Sequence, residues 1–279
     1  MPFDRRLRRL RRDRAAAGFA DYLHRLAAEE LLDRLDLVKR DFAEALDLGA
    51  AAGLLSRRLR ERGLRVTSAD PGFRFARGLD GVQCDEDRLP FGDRAFDLVT
   101  SVGSLDSVND LPGALTLIRR ALRPDGLFLA ALAGAGSLPK LRRAMAAADE
   151  AEGGASAHIH PQIDVRAAGD LLMRAGFALP VVDVASITVR FADLMALVRD
   201  LRGMAATNIL ASRSRPLGRL GLAAAMAEFA AQADADGRTA ERFEIVYLTG
   251  WAPSPDQPEP ARRGSATASL ASSLGSGRG

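Results

Sequence analysis

Cysteine and histidine are scarce in this sequence, with one cysteine, Cys84, and three histidines among 279 residues. A single cysteine excludes a disulfide framework within the chain and a zinc site built from several cysteines, and it fits a reducing compartment. No stretch approaches the roughly 20 apolar residues of a membrane-spanning helix, and the N-terminus lacks the apolar core of a secretory signal. We therefore expect a cytoplasmic protein without a transmembrane segment.

Lysine is almost absent too, and the arginines that replace it are unevenly placed. Residues 1–14 hold seven arginines and two aspartates, a net charge of +5, while the whole chain carries +3. The remainder is close to neutral, which argues against a nucleic-acid-binding face. Phe3, Leu7 and Leu10 fall at helical spacing between the arginines, which predicts a short basic amphipathic helix. We expect these apolar residues to pack on the protein body, with peripheral membrane contact or partner docking as the alternative.

Apolar periodicity beyond residue 40 alternates between strand and helix. Strands are predicted at 43–49, 65–70, 96–102, 127–133, 181–191 and 243–251, and helices at 19–37, 53–62, 110–122 and 165–176, with a turn at 123–126. The pattern predicts an α/β fold, a doubly wound and mainly parallel sheet. We divide the chain into a basic helical region at 1–40, a main domain at 41–253 with a helical insertion at about 192–234, and a disordered tail at 254–279.

Candidate ligand-binding residues follow the first two strands of the main domain. Asp47, Gly49 and Gly53 belong to the loop that joins the first strand to a helix. Glycines there allow close approach of a ligand, and the helix N-terminus offers unpaired N–H groups to a carboxylate. Asp70 ends the second strand, where a carboxylate can accept both hydroxyls of a ribose. The alternative is an aspartate that only shapes the turn at Pro71 and Gly72.

An acidic loop follows, with the sequence Cys84-Asp85-Glu86-Asp87 and then Leu89-Pro90-Phe91. Asp85 could accept a hydrogen bond from an adenine amino group, and we include its neighbour Glu86 in the site. A glycine turn, a strand-end acid, an acidic loop and then Phe96-Asp97-Leu98-Val99 occur in one order. This series resembles the class I S-adenosylmethionine-dependent methyltransferases. Nicotinamide-dependent dehydrogenases share only its first two features, and the loop does not match G-x-G-x-x-G.

The resemblance implies a Rossmann-like class I methyltransferase fold with N-terminal helices and a helical insertion before the last strand. It also implies S-adenosyl-L-methionine as the cofactor. The cofactor-binding residues would be Asp47, Gly49, Gly53, Asp70, Asp85 and Glu86. No catalytic side chain is assigned, because methyl transfer depends mainly on positioning the acceptor and excluding water.

A narrower resemblance extends over nearly the whole chain. Its segments include Phe3-Asp4-Arg5, Val108-Asn109-Asp110-Leu111-Pro112, Glu152-Gly153-Gly154, Asp200-Leu201-Arg202-Gly203-Met204 and Arg263-Gly264-Ser265-Ala266-Thr267. They resemble the mitochondrial respiratory complex I assembly factor 5 family and its bacterial relatives. The resemblance implies a methyltransferase fold whose mitochondrial members are regarded as arginine hydroxylases of a complex I subunit. A protein partner of that kind is therefore expected as one alternative.

The chain departs from that family's pattern at two places. The family's loop reads Gly-Cys-Gly-x-Gly, whereas this chain has Gly49-Ala50-Ala51-Ala52-Gly53. If the middle position needs positive φ, Ala51 costs about 1–2 kcal/mol. After the strand at 96–102, Leu-His-Trp is replaced by Leu105-Asp106-Ser107.

Three functions stay open at this point. The first is methyl transfer from S-adenosylmethionine to an unknown acceptor, the second is modification or chaperoning of a respiratory subunit, and the third is a scaffold that binds cofactor weakly. Hydroxylation would need an oxidant such as iron held by two histidines and a carboxylate. His158, His160 and Asp164 are the candidates for such a set. A His-x-His pair in a glycine-rich loop more often faces solvent or substrate, so no metal site is predicted.

Overall fold

The computed structural model describes residues 1–212, 216–255 and 257. Its strands are β1 (Glu44–Leu48), β2 (Arg65–Asp70), β3 (Val82–Gln83), β4 (Phe96–Val102), β5 (Leu122–Ala133), β6 (Ala178–Phe191) and β7 (Thr239–Trp251). They form one sheet in the order β3-β2-β1-β4-β5-β7-β6. The pairs from β3 to β5 are parallel, and β7 is antiparallel to both β5 and β6. The strand order reverses between β1 and β4, where sheets of this kind bind ligands.

Helices cover both faces of the sheet. They are α1 (Arg5–Ala15), α2 (Tyr22–Asp36), α3 (Leu54–Glu61), α4 (Phe73–Gly78), α5 (Leu111–Ala121), α6 (Pro139–Glu152), α7 (Val165–Arg174), α8 (Leu194–Gly203) and α9 (Arg219–Ala231). Apolar residues of α5 and α7 pack on one face, and those of α2 and α3 pack on the other. Since β4 is buried along its whole length, its continuous apolar run suits the centre of the doubly wound sheet that the sequence predicts.

A third apolar core lies away from the sheet centre. It joins α6, α8 and α9 to the start of β7 through large buried side chains that include Leu197, Phe229 and Phe243. The predicted helical insertion is therefore two helices, α8 and α9, which pack on the helix α6 that follows β5. Residues 213–215 of the insertion lie outside the described residues, as do residue 256 and residues 258–279. The predicted disordered tail and its Gly-Ser-Ala-Thr segment fall almost entirely there.

The predicted turn at 123–126 is wrong in one respect. The helix does end at Ala121, but the segment that follows is an irregular start of β5, since Leu122 pairs with Phe96. The ladder resumes at Leu127 after a shift in register, and Asp125 takes a positive φ of 61° between them. A bulge of this kind lets the chain stay in the sheet where a separate turn is expected.

The N-terminal helix packs differently from the sequence prediction. Its side chains Arg8 and Arg12 are buried against the body, while Leu10 is 43% exposed. Phe3, just before the helix, is buried as expected. The cationic face turns inward because acidic side chains of the main domain face it. In the part of the chain that the structure describes, no helix is long and apolar enough to cross a membrane.

Candidate cofactor site

The glycine loop between β1 and α3 is tightly folded. Gly49, Ala51 and Gly53 all have positive φ, at 77°, 45° and 73°. A Cβ atom at Gly49 would lie 2.2 Å from Oγ of Ser104, and one at Gly53 would lie 2.3 Å from a methyl carbon of Leu79. Both glycines are therefore required by the packing of the loop itself. The middle position does need positive φ, so Ala51 holds a backbone conformation that costs a non-glycine residue about 1–2 kcal/mol.

Asp47 points into the protein rather than toward the loop's open side. It is buried, and its carboxylate accepts a hydrogen bond from Oγ of Ser56 at 2.5 Å and a longer one from Oγ1 of Thr100 at 3.4 Å. Burial raises the pKa of Asp47 to about 6, and the Ser56 hydroxyl opposes part of that rise. The contacts of Asp47 tie β1 to α3 and β4, which makes it a support of the loop.

Asp70 has all of its acceptor sites directed at neighbours. Its Oδ1 accepts from Nε of Arg12 at 2.8 Å and from the backbone N–H of Gly72 at 2.7 Å. Its Oδ2 accepts from Nη2 of Arg12 at 2.5 Å and from the N–H of Ala51 at 2.9 Å. Asp70 thus shapes the turn at Gly72, as the alternative interpretation expects, and also fixes the glycine loop and a helix 58 residues earlier in the chain.

Glu86 forms the second buried ion pair with α1. Its two carboxylate oxygens accept from Nη1 and Nη2 of Arg8 at 2.6 and 2.8 Å. The same guanidinium donates to the backbone oxygen of Ser104 at 2.7 Å and to Oγ of Ser107 at 3.0 Å. Ser107 belongs to the second place at which the chain departs from the family pattern, and it therefore takes part in holding α1.

Asp85 lies at the outer end of the same row of acids. Its Oδ2 is 2.6 Å from Nη2 of Arg9 and 3.2 Å from Nη1 of Arg5, and Arg5 also binds Asp87 through two hydrogen bonds. The other carboxylate oxygen of Asp85, Oδ1, is buried and has no hydrogen-bond partner among the residues that the structure describes. A buried acceptor without a partner is costly, so this atom is suited to a donor from a ligand.

The six predicted residues divide into two groups. Gly49, Asp70, Asp85 and Glu86 face α1 and accept hydrogen bonds from its arginines, whereas Gly53 packs against Leu79 and Asp47 bonds Ser56 and Thr100. We call the region between the glycine loop and these acids, which α1 fills, the cleft. Sequence reasoning missed Arg8 and Arg12, which fill this cleft from α1. Two signals in the sequence could have revealed them. Arg8 and Arg12 are four residues apart and so share one helix face. The segment with the strongest excess of positive charge, at residues 1–14, is opposite in charge to the acidic run at 85–87.

The histidines and Asp164 do not come together. His158 bonds Asp149 through Nε2 at 2.8 Å, while Nε2 of His160 accepts from the backbone N–H of Ile209 at 3.0 Å. Asp164 caps α7 by accepting from the N–H of Ala167. Across the described ranges, no group of three histidine, cysteine or acidic residues is arranged to hold a metal ion.

Comparisons with known proteins place these features in a family. Residues 11–180 match the protein family described as "Methyltransferase domain". The chain is 36% identical over 283 residues to arginine-hydroxylase NDUFAF5, mitochondrial, of Danio rerio, covering 96% of this chain and 88% of that protein. It is also 34% identical to malonyl-[acyl-carrier protein] O-methyltransferase of Laribacter hongkongensis, covering 87% of each.

Solved structures share the fold. The YcgJ protein of Bacillus subtilis superposes with a TM-score of 0.55 at 14% identity, covering 81% of this chain and 99% of that one. A phosphoethanolamine N-methyltransferase of Haemonchus contortus, solved with S-adenosyl-L-methionine, gives 0.50 at 16% identity over 81% of this chain and 52% of that one. These structures show the fold, and the family match and the sequence relatives show the family. The chain belongs to the methyltransferase-domain family, as a class I S-adenosylmethionine-dependent methyltransferase related to the NDUFAF5 proteins.

Proposed function

We propose that this methyltransferase binds S-adenosylmethionine in the cleft formed by the Gly49–Gly53 loop, Asp70 and Asp85, and that α1 must withdraw its arginines to admit it. The observation that carries the proposal is the position of Asp70. Its carboxylate stands at the carboxyl end of β2, beside the strand-order reversal, and is held by the N–H of Ala51 from the glycine loop. A rigid carboxylate at this place suits the two hydroxyls of a ribose.

The chemistry of the donors and acceptors fits the cofactor. Oδ1 of Asp85 is a buried acceptor without a partner, which suits the amino group of adenine. Asp70 has the right group, but Arg12 occupies two of its acceptor positions. The guanidinium of Arg12 thus makes the contacts that ribose hydroxyls would make. Binding of the cofactor in this cleft therefore breaks the ion pair between Arg12 and Asp70 and replaces it with contacts to the ligand.

The protein's part in the reaction is positional. When bound, S-adenosylmethionine supplies a methyl group on a positively charged sulfur, and a nucleophile displaces that sulfur. The chain's own residues must hold the acceptor in line and keep water out. Asp106 stands beside the cleft, because it interacts electrostatically with both Arg8 and His160. It is the side chain best placed to meet an acceptor that approaches from the side of α6 and α8.

Calorimetric titration of the full chain with S-adenosylmethionine tests the site. We expect one site of micromolar affinity, and we expect Asp70→Ala to abolish measurable binding. Asp93→Ala is the matched control, since Asp93 is an exposed acid that pairs with Arg120 away from the cleft. Binding that survives in Asp70→Ala would refute the site assignment. No binding by the unmodified chain would instead favour the scaffold hypothesis.

A second candidate function is modification or chaperoning of a respiratory complex I subunit. The observation in its favour is the 36% identity to arginine-hydroxylase NDUFAF5 over 96% of this chain. Arginine hydroxylation needs an oxidant, and His158, His160 and Asp164 have separate partners. A deletion strain distinguishes the candidates: a specific loss of assembled NADH dehydrogenase would favour the second function, and normal assembly would rule it out.

A further inference from the structure

A cavity of about 510 Å³ lies over the carboxyl ends of β4 and β5, beside the N-terminal part of α2. Its floor includes Val102 and Ala131–Ala133, and its roof is built from α6, α8 and α9, with residues such as Met145, Val198 and Leu222. The lining is predominantly apolar. A volume of this size suits a small organic molecule rather than a water cluster.

Among the polar side chains of this lining, three atoms have no hydrogen-bond partner within the described residues. They are Nε2 of His24, Oδ1 of Asp106 and Oγ1 of Thr207. All three are shielded from solvent, and a buried polar atom is normally paired. Their convergence on one apolar cavity indicates a ligand with a large apolar part and a polar group that reaches them.

The charges of the lining select the polar group. Asp106 presents an unpaired carboxylate oxygen, which accepts a hydrogen bond and repels an anion. Burial lowers the pKa of His24 to about 4, and the nearby Arg12 adds to this effect, so the imidazole is neutral at pH 7. The cationic side chain of Arg202 is exposed at the rim. The interior therefore favours a hydrogen-bond donor over an anion.

We infer that this cavity is the acceptor site and that it takes an apolar small molecule without an anionic group, whose hydroxyl or amine donates to Oδ1 of Asp106. This substrate class rests on the proposed methyl transfer, because it assigns the acceptor for the cofactor cleft next door. The connection is direct: Arg12, which fills the cleft, is close enough to depress the pKa of His24, and Arg8 interacts with Asp106. An acidic acceptor is disfavoured by the same carboxylate.

Two fluorescent probes with the same ring system test the inference on the full chain without cofactor. N-phenyl-1-naphthylamine is neutral and has one N–H donor, whereas 8-anilino-1-naphthalenesulfonate adds an anionic group to that scaffold. We expect saturable one-site binding of the neutral probe and at least about tenfold weaker binding of the anion, equivalent to about 1.4 kcal/mol. Asp106→Asn should reduce the difference in affinity between the two probes to less than about threefold, because the charge that repels the anionic probe is gone.

Variants of the roof locate the site. Val198→Trp fills the cavity and should abolish binding of the neutral probe, whereas Leu220→Trp, on the exposed side of α9, should leave it unchanged. Met145→Trp replaces the first variant if circular dichroism shows that Val198→Trp does not fold. Equal affinity for the two probes, a gap that persists in Asp106→Asn, or binding that survives both filled variants would overturn the inference.

Competition separates this inference from its nearest rival and from the proposed function. 4-Octylphenol, an apolar molecule with one hydroxyl, should displace the neutral probe. Displacement by butylguanidinium but not by 4-octylphenol would assign the cavity to an arginine side chain and overturn the substrate class. The probe titration contains no S-adenosylmethionine. A failure of the probe to bind would therefore not refute the proposed cofactor site, and a failure of the cofactor to bind would not refute the probe result.

Discussion

Replacing Arg12 by glutamine should tighten the binding of S-adenosylmethionine. Arg12 and Asp70 are both buried and share two hydrogen bonds of 2.5 and 2.8 Å. If the cofactor must take the place of Arg12 at Asp70, the unmodified protein loses those bonds each time it binds. Hydrogen bonds to charged groups contribute about 1.5–3 kcal/mol each in net terms. Removing the competitor should therefore lower the dissociation constant by at least about 100-fold.

The same substitution should destabilise the protein in the absence of cofactor. Breaking a buried ion pair from one side leaves an uncompensated charge and costs about 3–5 kcal/mol. Asp70 keeps only the N–H groups of Ala51 and Gly72. Thermal unfolding with and without S-adenosylmethionine should show a lower melting temperature for Arg12→Gln and a larger rise on adding cofactor. Arg12→Lys keeps the charge without the forked geometry and should be intermediate.

Arg6→Gln is the control, because Arg6 is an exposed arginine of the same helix. It changes the net charge by the same amount and should affect neither the dissociation constant nor stability appreciably. Calorimetry that gives weaker or unchanged cofactor binding for Arg12→Gln would refute the reasoning. Weaker binding would mean that Arg12 helps to hold the cofactor instead of competing with it.

Two further predictions concern the support of the cleft. Ala51→Gly should raise the free energy of unfolding by roughly 0.5–1 kcal/mol, since relief of the positive φ exceeds the added entropy of the unfolded chain. Ala52→Gly is the control and should lower the free energy of unfolding, because Ala52 has no positive φ to relieve. Equal effects of the two substitutions in urea unfolding would contradict this reasoning. Because the pKa of Asp47 is raised to about 6 in the folded state, its burial should cost stability progressively as pH rises from about 4 to 6. Asp47→Asn should therefore be more stable than the unmodified protein, by roughly 1–3 kcal/mol at pH 7.5 and by almost nothing at pH 3.5. A difference in the free energy of unfolding that does not change with pH, measured by urea unfolding, would refute the raised pKa of Asp47.

The sheet was predictable because its strands carry a signal that is local. β2 and β4 match their predicted ranges at both ends. In β4 the reason is burial along the whole strand, which requires a largely apolar run. The strand-end residues could also be placed, because parallel strands bring their carboxyl ends to one edge.

The N-terminal helix was not predictable in the same way. Its apolar spacing at Phe3, Leu7 and Leu10 is the usual sign of a buried face, and arginines on the other face are usually solvated. The pairs that reverse this expectation join residues 58 and 78 positions apart. Periodicity carries no information about contacts over that distance. The partners of Asp47 were unpredictable for a related reason, since a strand-end carboxylate can turn either toward a ligand or back toward a neighbouring hydroxyl such as that of Ser56.

The arginines of α1 act on both the cleft and the cavity. Arg12 binds Asp70 in the cleft and depresses the pKa of His24 in the cavity lining. Arg8 binds Glu86 and interacts with Asp106. A ligand that displaces the two arginines changes the charge near both places at once, because the residues lie on one face of one helix. Binding in the cleft and binding in the cavity should therefore be coupled.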